Sequence, residues 1–138
     1  MSILIDTCIW SLALRRNTPL VNSFVVQKLT QFIETKQVIM VGVIRQEILS
    51  GIQQIAQFER IRLKLGAFPD FPINTQDFET AAQFYNRCRA KGVQGSNTDF
   101  LLCAIAHRHN FTIFTMDKDF SHFKPLLDFN LYLWSESE

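Results

Sequence analysis

Five carboxylates occupy positions where the surrounding residues are apolar. Asp6 ends the run Ile3-Leu4-Ile5, Asp117 follows Ile113-Phe114-Thr115 after one residue, and Asp119 lies two further on. Asp99 has Leu102, Cys103 and Ala106 at i+3, i+4 and i+7, and Glu47 has Val43 and Ile44 at i−4 and i−3. On helices these spacings put both acids on apolar stripes. An isolated carboxylate in such surroundings is costly and tends to take up a proton. Several that converge are worse, unless a cation sits among them. An all-oxygen donor set suits a hard divalent ion, Mg²⁺ or Mn²⁺.

Each acid also has a local reading. Asp6 can N-cap the first helix through the amide of residue 8 or 9. Asp99 can close a Ser96-x-x-Asp99 capping box. Asp117 and Asp119 can be turn residues before Phe120, and Glu47 a solvated helix residue near Arg45. Taken singly, these readings are at least as good as metal binding. Together they must explain all of these acids in one small domain, which favours the metal.

The elements that would hold these acids can be read from the pattern. Val38–Val41 is short and rich in β-branched residues. With Ile3–Ile5, Thr112–Thr115 and Leu131–Trp134 it makes four expected strands. Helices are expected over about Thr7–Leu14, Pro19–Thr35 (started by Thr18-Pro19), Val43–Ser50, Gln53–Leu65, Thr75–Lys91 and Thr98–His109. Phe68-Pro69-Asp70-Phe71-Pro72 reads as a loop, and Gly92–Asn97 as a flexible connector. Strands separated by helices imply a parallel sheet covered on both faces, with ligands bound outside its carboxyl edge. Asp6 and Asp117 both fall at that edge. The expected architecture is α/β, a short central parallel sheet flanked by helices in three layers, forming one domain over 1–134 with a polar tail over 135–138.

Composition agrees. The chain has 138 residues, 47% hydrophobic and 20% charged, which suits one soluble globular domain and excludes a disordered, collagen-like or coiled-coil chain. The apolar-plus-Gly stretch Val38–Ile44 is far short of the ~20 residues of a membrane span. The start meets Asp6 without a basic leader, so no signal peptide is expected. Three cysteines without framework spacing fit reduced thiols in a cytoplasmic protein. A formal net charge of +1 argues against a large basic surface but not a local one.

Four segments resemble those of PIN-domain ribonucleases, in particular the VapC-type toxins of bacterial toxin–antitoxin pairs. They are Ile3-Leu4-Ile5-Asp6-Thr7-Cys8-Ile9-Trp10, Val41-Gly42-Val43-Ile44-Arg45-Gln46-Glu47-Ile48, Asn97-Thr98-Asp99 with the apolar helix to Ala106, and Thr115-Met116-Asp117-Lys118-Asp119-Phe120. The resemblance spans nearly the whole chain; Cys8 departs from it, where Ser is more usual. It implies a PIN-like fold and an acidic quartet of Asp6, Glu47, Asp99 and Asp117 around Mg²⁺ or Mn²⁺, with Asp119 a further ligand, direct or through water. Thr7, Thr115, Ser96 and Asn97 would support those ligands by hydrogen bonds. The implied activity is hydrolysis of RNA phosphodiester bonds by a water whose pKa the metal lowers. The resemblance also implies a homodimer and a small antitoxin whose C-terminal segment fills the groove near the acids.

Other features carry less. His107 and His109, at i and i+2, point apart on a helix and cannot form an i, i+4 zinc pair; end-of-helix histidines are expected. Cys8 and Cys103 lack CxxC spacing and fit packing roles. No GxGxxG or Walker pattern is present. Arg15, Arg16, Arg45, Arg87, Arg89, Lys91 and Lys118 can either line an RNA path or form a solvated face. Thirteen phenylalanines are more than one small core would be expected to hide. Leu20, Phe24, Phe32, Ile48, Ile52, Ile55 and Phe58 are therefore candidates for an exposed interface. A phosphoacceptor receiver domain fits poorly, because Asp6 stands alone and Val38–Val41 ends without an acid. A catalytically silent binding module conflicts with the intact quartet.

Overall fold

The computed structural model describes residues 1–14 and 23–135. Arg15, Arg16, Leu20 and the Thr18-Pro19 start signal lie outside the described residues, as do residues 136–138. In chain order the elements are β1 (Ile3–Ile5), α1 (Thr7–Leu14), α2 (Ser23–Glu34), β2 (Val38–Ile39), α3 (Gly42–Leu49), α4 (Ile55–Leu65), α5 (Thr75–Ala90), α6 (Asn97–His109), β3 (Thr112–Phe114), α7 (Asp119–Phe123) and β4 (Asn130–Leu131).

The four strands form one sheet in the order β2-β1-β3-β4, and every pairing is parallel. β1 is central and its three side chains are fully buried. A continuous apolar strand buried on both faces is what a helix-covered parallel sheet requires, and each such side chain contributes roughly 1.5–3 kcal/mol. The register that matters is Ile5 opposite Phe114. It makes the residues that follow, Asp6 and Thr115, neighbours at the carboxyl edge.

α6 is apolar nearly all round, with Phe100 to Ala106 buried without a break. Its first turn carries Asp99, and its Asn110 C-cap adopts the left-handed conformation. A capping box at each N-terminus sets the starts of α5 (Asn74 with Asp77) and α6 (Ser96 with Asp99).

Four expectations need correction. The second strand stops at Ile39, because the chain leaves the sheet there: Met40 bridges Asp70, and Val41 is the N-cap of α3. The Pro-rich 68–72 segment is therefore not wholly irregular, since the Phe71 amide donates to the Met40 carbonyl at 2.7 Å. The last strand starts earlier and is shorter than Leu131–Trp134. The Gly92–Asn97 connector is pinned: Val93 donates to Cys88 O, and a Cβ on Gly95 would lie 2.6 Å from Phe123 Cζ and 2.9 Å from Phe100 Cζ.

The phenylalanine surplus is mostly core. Phe32, Phe84, Phe100, Phe111, Phe114, Phe120, Phe123 and Phe129 are buried, and only Phe78 is largely exposed. Of the other positions expected at an interface, Ile48 is buried, Phe24, Ile52 and Phe58 are partly covered, and Ile55 stands out in solvent.

Candidate active site

The site begins where β1 ends. Asp6 keeps the sheet ladder going, its amide donating to Phe114 O at 2.9 Å, while its carbonyl accepts from Ile9 and Trp10 to start α1. Its side chain is 9% exposed. Oδ1 accepts the Thr7 amide at 2.8 Å, and Oδ2 accepts the Thr115 hydroxyl at 2.6 Å. The expected cap on the amide of residue 8 or 9 is not formed; the Asp6 carboxylate takes the amide of Thr7 instead.

Thr115 links two of the acids. Its hydroxyl donates to Asp6 and accepts the Asp117 amide at 2.9 Å. Asp117 Oδ1 in turn accepts the Asp119 amide at 2.9 Å, which turns the chain into α7. Asp117 and Asp119 are both exposed.

Asp99 is half-buried at the third position of α6. Its Oδ2 accepts the Ser96 amide and its own amide donates to Ser96 Oγ, each at 3.1 Å. The capping box and the acid site therefore use the same side chain. Asn97 makes no hydrogen bond to Asp99; it lines a groove with Phe78 and Tyr85 of α5. Glu47 is exposed rather than set in an apolar stripe, because Ile44 and Ile48 take the inward face of α3. It joins the site through Thr7, whose hydroxyl donates to Oε1 at 2.6 Å.

Electrostatics ties these groups together. Burial pushes the Asp6 carboxyl above the ordinary range; hydrogen bonds from Thr115 and Thr7 oppose this, and the charges of Asp117 and Glu47 add to it. Burial likewise raises Asp99, against its bonds to Ser96, and the charges of Asp117 and Asp6 reinforce the rise. Among the described residues no Lys, Arg or His forms an ion pair with Asp6, Glu47, Asp99, Asp117 or Asp119. Nor, among those residues, are three His, Cys, Asp or Glu side chains drawn close enough to cage one ion. The donors are all carboxylates or hydroxyls, the chemistry of a hard divalent cation. The uncompensated charge is what such an ion would neutralise.

Residues 3–125 match the PIN domain family. The chain belongs to that family. Among curated proteins no relative matches it. Three solved structures share the fold at low identity. VapBC2 from Rickettsia felis, bound to a DNA fragment from their promoter, is 16% identical with a TM-score of 0.78, over 98% of this chain and 100% of that one. FitAcB from Neisseria gonorrhoeae is 22% identical with a TM-score of 0.74, over 93% and 96%. A toxin–antitoxin complex from Klebsiella pneumoniae is 20% identical with a TM-score of 0.60, over 92% and 97%. At these identities the likeness is one of fold.

Within this PIN domain the expected basic residues divide. Lys118 and Lys91 are exposed, Lys118 between Asp117 and Asp119 and Lys91 just after α5. The Arg89 guanidinium lies 5.6 Å from the Tyr85 ring centre, and Arg87 similarly covers Phe84. Arg45 is not part of an RNA path: it bonds Asp70, Leu65 O and Phe68 O, and so fastens α3 to the 65–70 segment.

Three features escaped the sequence reading. Cys8 is not simple packing; its Sγ lies 3.7 Å from both Asp6 Oδ2 and Thr115 Oγ1 and accepts the Met116 amide. Its place two residues after Asp6, in the first turn of α1, was the available clue. The Trp134 indole N–H donates to Thr115 O at 3.2 Å. Far from the acids, Asp77 is fully buried and bonded to Asn74, Arg108 and His109. His109 is therefore paired, and His107 contacts the Asp128 carbonyl.

Proposed function

We propose that this PIN domain is a Mg²⁺- or Mn²⁺-dependent endoribonuclease and the toxin of a toxin–antitoxin pair. PIN-domain nucleases are hydrolases of nucleic acids; the metal and the RNA substrate are the finer reading. The observation that supports it is that Asp6, Glu47, Asp99 and Asp117 lie near enough for their charges to act on Asp6 and Asp99, with no ion-pair partner among the described residues. Asp6, Asp99 and Asp117 would hold the ion, with Asp119 as a further ligand and Glu47 completing the quartet from α3. When bound, that ion supplies an acidified water and positive charge against the phosphoryl oxygens.

The chain's own residues do the positioning. Thr115 fixes Asp6 relative to Asp117, Thr7 fixes Asp6 relative to Glu47, and Ser96 fixes the rotamer of Asp99. Asn97 is a weaker candidate for such support. Lys118, Lys91 and Arg89, with Arg15 and Arg16, would take backbone phosphates, so binding should weaken with salt. A single domain over 1–134 would suffice.

The toxin role rests on relatives of the same fold described as VapBC and toxin–antitoxin assemblies. By that likeness the chain would act as a homodimer, be silenced by a small antitoxin and work in the cytoplasm. No helix among the described residues is long and apolar enough to cross a membrane. The decisive experiment is expression of the wild type and of Asp6→Ala in cells, with sequencing of RNA 5′ ends. Growth arrest and discrete new ends are expected from the wild type alone. Identical toxicity and identical ends from both would end the nuclease reading.

A further inference from the structure

A groove of about 410 Å³ opens directly beside Asp117. One wall is the turn that carries Asp117, Lys118 and Ser121. The other is the segment after β4, with Tyr132, Leu133 and Trp134. This second wall lies beyond residue 125, where the match to the family ends. It follows directly on β4, so the sheet itself fixes its position beside the acid-bearing turn.

We propose that this groove is a nucleobase subsite, which holds the nucleotide next to the cleaved phosphate and sets the RNA sequence that is cut. The inference rests on the ribonuclease reading. Three observations support a nucleotide as the occupant. The groove is continuous with the acid site, since Asp117 belongs to both. Its lining includes an exposed cation, Lys118, able to meet a flanking phosphate, and Lys28 lies 6.0 Å from the Tyr132 ring centre. Its apolar wall is aromatic: Trp134 is only partly covered, stacked on Phe24, and Leu133 beside it is 81% exposed. A π-face with a cation at one end is how proteins hold single-stranded bases.

The wall is also referenced to the acids. The Trp134 indole donates to the carbonyl of Thr115, whose hydroxyl holds Asp6. A base stacked on Trp134 would therefore be measured from the same residue that orients the acid centre. That geometry is what a specificity subsite needs.

Trp10 is buried, so a quench of tryptophan fluorescence by RNA would report on Trp134. The test uses Asp6→Asn protein, which should not cut, titrated with single-stranded RNA tetranucleotides of differing sequence. Saturable quenching with a preference among sequences is expected. Leu133→Ser, an exposed change that leaves the fold intact, should weaken binding several-fold. Trp134→Phe should abolish the signal, and Lys118→Gln should lessen the salt dependence. In otherwise active protein, Leu133→Ser should flatten the base preference next to the cut in a randomised RNA pool, with cutting slowed by no more than its several-fold loss of binding. Unchanged preference with cutting intact would overturn the subsite and spare the ribonuclease reading. Absence of any cutting by the wild type would overturn both. Protection of Trp134 by a second copy of the chain, seen as quenching that follows protein concentration without RNA, would also overturn the subsite.

Discussion

Two sets of buried or half-buried carboxylates sit in this domain, and they are built on opposite principles. Asp77 is 0% exposed, yet it accepts from the Asn74 amide, Arg108 and His109. Burial alone would push it up, but those bonds outweigh burial and hold its carboxyl below the ordinary range. Asp6 accepts from Thr7 and Thr115, yet burial, the largest influence on it, raises its carboxyl, and the charges of Asp117 and Glu47 add to the rise. Around Asp77 the neighbouring groups offset burial; around Asp6 the neighbouring charges reinforce it. The first arrangement is complete within the protein and fastens α5 to the end of α6. The second leaves its negative charge without an ion-pair partner among the described residues.

The comparison predicts opposite results from the same chemical change. Asp6→Asn should reduce RNA cleavage the most, by roughly 10³-fold or more, the scale of losing one charged element of a metal-assisted site. Its stability without metal should hold or rise, because an uncompensated buried charge is removed. Steady-state cleavage of a labelled RNA and urea unfolding of the same preparations test both halves. A variant that loses activity by unfolding would break the contrast.

Asp77→Ala should do the reverse. It strips His109 of its carboxylate partner and leaves Arg108 only the Asn74 and Gln76 side chains, and should cost about 3–5 kcal/mol, the range for breaking a buried ion pair. The protein that remains folded should cut with an unchanged base preference. Urea midpoints, with cleavage measured at a temperature where the variant is folded, provide the check.

The same contrast explains what was legible in the sequence. β1 and its terminal Asp6 stand out because three apolar residues followed by an acid have few other meanings. The capping box at Ser96 is equally local. Asn74 and Asp77 carry the same local pattern, but the pairing of Asp77 with Arg108 left no trace, since Arg108 lies 31 residues away and only the packing of α5 on α6 brings it near. Glu47 misled for a related reason: spacing puts it next to an apolar stripe but does not say that Thr7 draws it outward. No helix is expected at α7: Asp117 and Asp119 offer a local turn, and the short helix that follows depends on burying Phe120 and Phe123. The strand ends shifted where the chain leaves the sheet for a cap or a bridge, as at Val41 and Met40, which local propensity does not record.

Gly95 connects the acid centre to this packing and predicts a smaller effect. Any side chain there meets Phe123 and Phe100, so room must come from moving α7 or the start of α6. Those are the elements that carry Asp119 and Asp99. Gly95→Ala should cost about 1–3 kcal/mol by overpacking, and cleavage should fall more than the loss of folded protein explains. Calorimetry and cleavage of the same sample measure the two. A drop in activity that matches the loss of fold would assign Gly95 to stability alone.

The finest distinction is in how each site responds to protons and to the ion. A raised carboxyl binds its proton more tightly when folded. The favourable contribution of Asp6 and Asp99 is therefore present below the unfolded value near 3.8 and is lost as pH climbs through their raised values. Asp77 runs the other way: its contribution is present above 3.8 and is lost as pH falls through its lowered value. Relative to wild type, Asp6→Asn should therefore gain stability between pH 4 and pH 7, and Asp77→Asn should lose it. Mg²⁺ at ten times its dissociation constant should stabilise the wild type by about 1.4 kcal/mol at pH 7. It should do so for Asp77→Asn as well, from a lower baseline, and much less for Asp6→Asn. Equal stabilisation of all three proteins by Mg²⁺ would place the ion elsewhere and remove the physical difference between the two acid sites.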